Sequence, residues 1–210
     1  VRCWGNNDFG QLGNGSVVST TSPIAVPGLY GAVAVAAGDS HTCALLADGT
    51  VKCWGFNSTG QLGDGSTVNR TRPVLVAGLT GVTSIVAGGF HTCAVLADGT
   101  AKCWGNNGNG ELGDGTGVNR AVPTTVSNLA GATGLAAGLG HTCAVLTGGT
   151  ATCWGYNVDG EVGDGTTTLR LTPTTVTAVA GATSITAGLQ HTCALINDGT
   201  TKCWGNNGSG

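Results

Sequence analysis

The residues with chemical potential in this sequence recur at one interval. Cysteines form two series: Cys43, Cys93, Cys143, Cys193, and Cys3, Cys53, Cys103, Cys153, Cys203. Histidines stand at His41, His91, His141 and His191. Each series advances by fifty residues, as do Trp4, Trp54, Trp104, Trp154 and Trp204. His41 and Cys43, two apart on a strand, share a face, and with Cys53 they suggest zinc. A structural zinc site takes four ligands, and each unit offers three. Gly-Asp-Gly at 63–65, 113–115 and 163–165 suggests calcium, which wants several oxygens where each loop has one carboxylate. Gly13-Asn14-Gly15 drops even that one, so the triplet reads as turn chemistry. No G-x-S-x-G or H-E-x-x-H stretch is present. The only glutamates, Glu111 and Glu161, replace Gln11 and Gln61 at one repeat phase. Paired carboxylates can hydrolyse glycosides at a suitable distance, which keeps a polysaccharide hydrolase as an alternative. Their recurrence with the repeat instead favours a solvated or turn-bonding role. No catalytic residue, metal or cofactor is assigned.

What must position these residues is a set of short strands. The unit starting at Val51 has no sustained helical period. Pro73–Val76, Val82–Ala87, His91–Leu96 and Thr100–Trp104 read as strands, separated by glycine turns and a long loop from Gly105 to Val122. Four short strands per fifty residues fit one propeller blade. The turn Ala47-Asp48-Gly49 suits a three-residue loop with a left-handed glycine. That loop sets Leu46 opposite Thr50, Leu45 opposite Val51, and Cys43 opposite Cys53. The predicted bridges are Cys43–Cys53, Cys93–Cys103, Cys143–Cys153 and Cys193–Cys203, each contributing about 2–3 kcal/mol. Cys3 is left over, its partner expected upstream of Val1. The histidines are expected to hydrogen-bond inside their own blades.

Composition excludes several classes. Charged residues are 9% against about 25% in an ordinary domain. Net charge is only −3, which argues against a nucleic-acid surface. No apolar run reaches the length of a transmembrane helix, so no membrane insertion is expected. The 210 residues divide into units 1–50, 51–100, 101–150 and 151–200, with 201–210 repeating the opening ten. The array is expected to be a single domain, all-β. The start at Val1-Arg2-Cys3, without methionine, reads as trimmed or partial.

The stretch Ala87 to Thr116 resembles the regulator-of-chromosome-condensation repeat family. The matching pieces are Ala-Gly-x-x-His-Thr-x-Ala, Asp-Gly-Thr, and Trp-Gly-x-Asn-x-x-Gly-Gln-Leu-Gly, present in every unit with small departures. The resemblance implies a β-propeller of four-stranded blades. About four blades would be present here, as a segment of a seven-bladed ring completed by the same parent chain. It also implies that the tryptophans pack between blades. The paired cysteines are similar to those of secreted, disulfide-bearing bacterial members and of receptor ectodomains. That implies an extracellular or cell-surface location, with the periplasm as a variant. A basic tail is missing, which disfavours guanine-nucleotide exchange. The expected activity is non-enzymatic binding of a protein or glycan. One bacterial class of relatives inhibits an enzyme, so a secreted inhibitor is a second alternative.

Binding belongs where the units differ. One variable site precedes the histidine, another follows Trp-Gly, and a third is the long loop. The residues singled out are Phe56, Phe90 and Tyr156 with Arg70, Arg120 and Arg170, a composition typical of interfaces. Asn14, Asn57, Asn69 and Asn207 open glycosylation-type triplets, which matter only in a eukaryotic source.

Overall fold

Strand formation follows the threonine, valine and alanine runs, and glycine ends them. The computed structural model describes residues 1–208. A two-stranded sheet comes first, β1 (Arg2–Gly5) with β2 (Thr20–Ala25). Three four-stranded antiparallel sheets follow. They are β3 (Ala32–Ala37), β4 (His41–Leu46), β5 (Val51–Gly55) and β6 (Arg70–Leu75); then β7 (Val82–Ala87), β8 (His91–Leu96), β9 (Ala101–Gly105) and β10 (Arg120–Thr125); then β11 (Ala132–Ala137), β12 (His141–Leu146), β13 (Ala151–Gly155) and β14 (Arg170–Thr175). The last sheet has three strands, β15 (Ala182–Ala187), β16 (His191–Ile196) and β17 (Thr201–Gly205). Every sheet is a simple meander in chain order. The first strands, β3, β7, β11 and β15, lie innermost, and their ends at Gly38, Gly88, Gly138 and Gly188 line one shared cavity.

Register agrees with the turn argument. Cys43 faces Cys53 and Leu45 faces Val51, with Gly49 at φ 77°. All four predicted disulfides are present, with facing Cα atoms 4.0–4.1 Å apart. Cys3 is unbonded and half-buried, and burial raises its thiol pKa. Two strands differ from expectation at both ends. The outer strand runs Arg70–Leu75, not Pro73–Val76, and the strand after the Ala-Asp-Gly turn runs Ala101–Gly105, not Thr100–Trp104. A bulge between Cys53 and Gly55 lets the outer strand begin early. Pro73 is accommodated because β6 is an edge strand, where a missing N–H costs no ladder bond.

The core lies between sheets. Cys43, Leu45, Val51, Cys53 and Leu62 of one blade pack against Ile85, Ala94 and Trp104 of the next. Trp54, Trp104 and Trp154 are fully buried. Each indole is fixed by one hydrogen bond: Trp104 Nε1 donates to the Gln61 carbonyl at 3.0 Å, and Trp154 Nε1 to Glu111 at 2.8 Å. The indole edge leaves no room at Gly63. Its φ is 67°, and a Cβ there would sit 2.7 Å from Trp104 Nε1. Gly63→Ala therefore combines a left-handed alanine with overpacking, and should cost about 2 kcal/mol or more. Urea unfolding followed by tryptophan fluorescence checks this; an unchanged midpoint would refute the packing account.

Candidate functional site

The strand order puts the β3–β4 turn and the long β5–β6 loop on one face of each blade. All the variable positions lie there. The β4–β5 turn lies on the opposite face, where Asp48 caps it by accepting from the Thr50 N–H and hydroxyl.

A buried asparagine organises the long loop. Asn57 is fully buried; its Oδ1 accepts from the Leu62 N–H, and its Nδ2 donates to the Ser66 and Val68 carbonyls. This closes Asn57 to glycan attachment. Ser209 of the Asn207 triplet lies outside the described residues. Asp64, of the Gly-Asp-Gly loop, accepts from Ser66 and from Arg70 Nε at 2.8 Å. Asp114 pairs with Arg120 and Asp164 with Arg170 in the same way. Burial alone would raise these carboxyl pKa values, but hydrogen bonds from Ser66 or Thr116 and Thr166, and from the arginines, hold them below the usual range. The first unit has Asn14 for the Asp and Thr20 for the Arg, so both charges vanish together. Arg70, Arg120 and Arg170 thus build their loops, with only about a third of each side chain exposed.

The histidines bond between blades, not within them. His41 Nε2 meets Thr92 Oγ1 of the next blade at 2.9 Å, and His91 meets Thr142 and His141 meets Thr192 likewise. Each threonine hydroxyl donates onward to the carbonyl that also holds the tryptophan: Thr92 to Gln61, Thr142 to Glu111. With its proton spent, the hydroxyl can only accept, so the imidazole carries its hydrogen on Nε2. Nδ1 of His41, His91 and His141 is then a bare acceptor, buried without a partner. Burial lowers the pKa of these rings to about 4, 3 and 4.

The aromatic positions of two blades and the entry loop meet. The Phe9 and Phe56 ring centroids are 4.7 Å apart, and those of Phe56 and Phe90 are 6.0 Å apart. The Phe56 N–H donates to the Ser40 carbonyl at 2.8 Å, which ties the β5–β6 loop to the β3–β4 turn. Phe9 and Phe90 are each 37% exposed. Phe9, which follows Trp4-Gly5 in the second variable site, is not among the residues singled out from the sequence; only the meeting of three sheets reveals it. Tyr156 stands two units from Phe56, against Gly140, and the three arginines mark the starts of outer strands. Glu111 and Glu161 are 1% and 0% exposed, so neither is solvated. They bond to their own turn, Asn109 N–H to Glu111 Oε2 and Asp159 N–H to Glu161 Oε2, both at 2.9 Å.

The neutral buried histidines predict acid sensitivity. The unfolded chain takes up protons near pH 6.5 and the folded chain only near pH 4, so stability falls as pH drops across that window. Three such rings are worth up to roughly 3 kcal/mol each. The arginine-paired aspartates add a loss at still lower pH. Urea midpoints should fall steadily from pH 7 to pH 4, less so in His141→Gln; a flat profile would contradict the neutral, buried state of these rings.

Comparison with known proteins agrees with this architecture. Two models of the regulator of chromosome condensation (RCC1) repeat match, one at residues 2–45, 48–95, 98–145 and 149–195, the other at 32–61, 82–111, 132–161 and 182–210. No curated protein matches. Among solved structures, human WBSCR16 is similar at TM-score 0.85 and 26% identity, over 97% of this chain and 56% of that one. The Saccharomyces cerevisiae RCC1 protein Prp20, studied for binding to Gsp1p and histones, is similar at TM-score 0.84 and 24% identity, over 98% and 53%. The ectodomain of the Physcomitrella patens receptor kinase CR4 is similar at TM-score 0.57 and 26% identity, over 88% and 44%. The chain spans about half the length of these proteins. It belongs to the regulator of chromosome condensation (RCC1) repeat family.

Proposed function

We propose that this chain is a non-enzymatic scaffold that binds a protein through the face carrying the β3–β4 turns and β5–β6 loops. The observation that carries this is the Phe9–Phe56–Phe90 cluster. Three aromatic rings from the loops of three sheets converge on one surface, and two of them keep over a third of their area in solvent. Clustered aromatics on a rigid frame are the usual anchors of protein interfaces. Leu139, whose Cδ1 lies over Gly89 beside Phe90, and Leu189 extend the apolar rim toward the central cavity. The frame beneath is stiff, because each loop is tied down by its buried asparagine and by its aspartate or, in the first unit, Asn14.

A protein partner is in keeping with the study of yeast Prp20 for binding to Gsp1p and histones, while a glycan is the lesser reading. Four disulfides in so small an array suit an oxidising compartment, so we place the protein outside the cytosol, at the cell surface or in the periplasm. We take the array to be part of a larger ring of the same parent chain, by the length of the matched structures. Arg70, Arg120 and Arg170 act in this reading chiefly through the loops they brace.

A photo-crosslinking residue at position 90 should capture a protein from the native compartment. The same residue at position 80, on the opposite face, should not. Phe9→Ala or Phe56→Ala in the chain crosslinked at position 90 should weaken capture tenfold or more. Equal capture at both faces would overturn the assignment.

A further inference from the structure

The repeat supplies its own control for one position. Two residues after each tryptophan stand Asn6, Phe56, Asn106, Tyr156 and Asn206. Five residues further on stand Gln11, Gln61, Glu111 and Glu161, all nearly or wholly buried. Where the first residue is asparagine, the second is satisfied. Gln11 Nε2 donates to Asn6 Oδ1 at 2.6 Å, and Asn106 Nδ2 donates to Glu111 Oε1 at 2.6 Å. Where it is aromatic, the outer atom of the buried residue loses its partner. Gln61 Nε2 and Glu161 Oε1 are both orphaned, while their inner oxygens keep the turn bonds. A buried polar atom without a partner is destabilising. At Phe56 the stacking with Phe9 and Phe90 offsets this. Among the described residues Tyr156 has no aromatic pair of the kind Phe56 makes. A burdened position on a loop face is where function is served at the expense of stability.

Charge says what the face would receive. Arg70, Arg120 and Arg170 are neutralised by Asp64, Asp114 and Asp164, while Arg72, whose guanidinium lies against Gly15 of the entry loop, makes no ion pair among the described residues. Asp8, Asp39 and Asp159 carry no ion pair among the described residues. Asp39 adjoins Ser40, which accepts from Phe56 N–H, and Asp159 lies three residues from Tyr156. Lys52, Lys102 and Lys202 sit one residue in from the opposite face.

We propose that Phe56 and Tyr156 are paired recognition residues, two blades apart, that replace a fold-stabilising asparagine in order to receive a partner segment carrying arginine or lysine beside apolar side chains. An aromatic face with an adjacent carboxylate is a fitting receptor for such a cation. This rests on the loop face being the binding face.

The test uses the full chain and two labelled peptides, one alternating leucine with arginine, the other leucine with glutamate. The arginine peptide should bind, more weakly at high salt, and the glutamate peptide should not. Phe56→Asn and Tyr156→Asn should each weaken binding tenfold or more. Tyr156→Asn should also raise the thermal midpoint by about 2–4 °C, whereas Tyr156→Ala should not. Glu161, whose carboxyl pKa is raised by burial and by Asp159, should titrate lower in Tyr156→Asn, read by carboxyl NMR. A midpoint that fails to rise in Tyr156→Asn overturns the proposal, as does a rise without loss of binding. Equal binding of the two peptides, or binding of neither, also overturns it. Capture at position 90 that persists alongside any of these results leaves the binding face standing and removes only this inference.

Discussion

One backbone carbonyl per unit holds the seams together. The carbonyls of Gln11, Gln61, Glu111 and Glu161 each accept an indole N–H and a threonine hydroxyl, and in the last three that hydroxyl accepts from a histidine of the preceding blade. Three otherwise unrelated sequence features, tryptophan, threonine and histidine, are thereby spent at one point. Inside a dry seam such a chain is strong when complete and costly when broken. The glycine two residues later must then have no side chain, since the indole edge occupies that space. Much of the repeat's signature follows from serving this carbonyl.

The same seam explains why the loops of this chain can differ between units. The residue whose carbonyl is used sends its side chain the other way, into the turn below residues 6, 56, 106 and 156. The backbone job and the side-chain job are separable. Gln can become Glu at this phase, as it does in units three and four, without touching the seam. The position two after the tryptophan bears on that side chain and not on the carbonyl, so an aromatic residue there orphans one buried polar atom and leaves the seam intact.

Local chemistry was legible in the sequence. The Ala-Asp-Gly turn predicted the cysteine register, because a left-handed glycine at position 49 selects one loop length. The strands Val82–Ala87 and His91–Leu96 were readable from their alternation with glycine. The outer strand was not fully readable: Pro73 looked like a strand start, and the bulge that brings Arg70 into the ladder leaves no compositional mark. The histidines were placed within blades because sequence shows a strand's own neighbours and not the next sheet. The phenylalanine cluster was half-visible. Phe56 and Phe90 stood out as departures from the repeat, but their approach to Phe9 depends on how three sheets stack. The arginines stood out equally and proved to be loop braces; the aspartate six residues before each was the available clue, and it disappears with the arginine in unit one.

Each disulfide joins the second and third strands of a single sheet, and no covalent bond crosses a seam. For the gene, this has a consequence. A duplication or deletion of any fifty-residue stretch, wherever its breakpoints fall, adds or removes one complete cysteine pair and leaves every other thiol matched to its own neighbour. Because each bridge closes within one hairpin, ten residues apart, its pairing is set locally and does not wait for the next blade to fold.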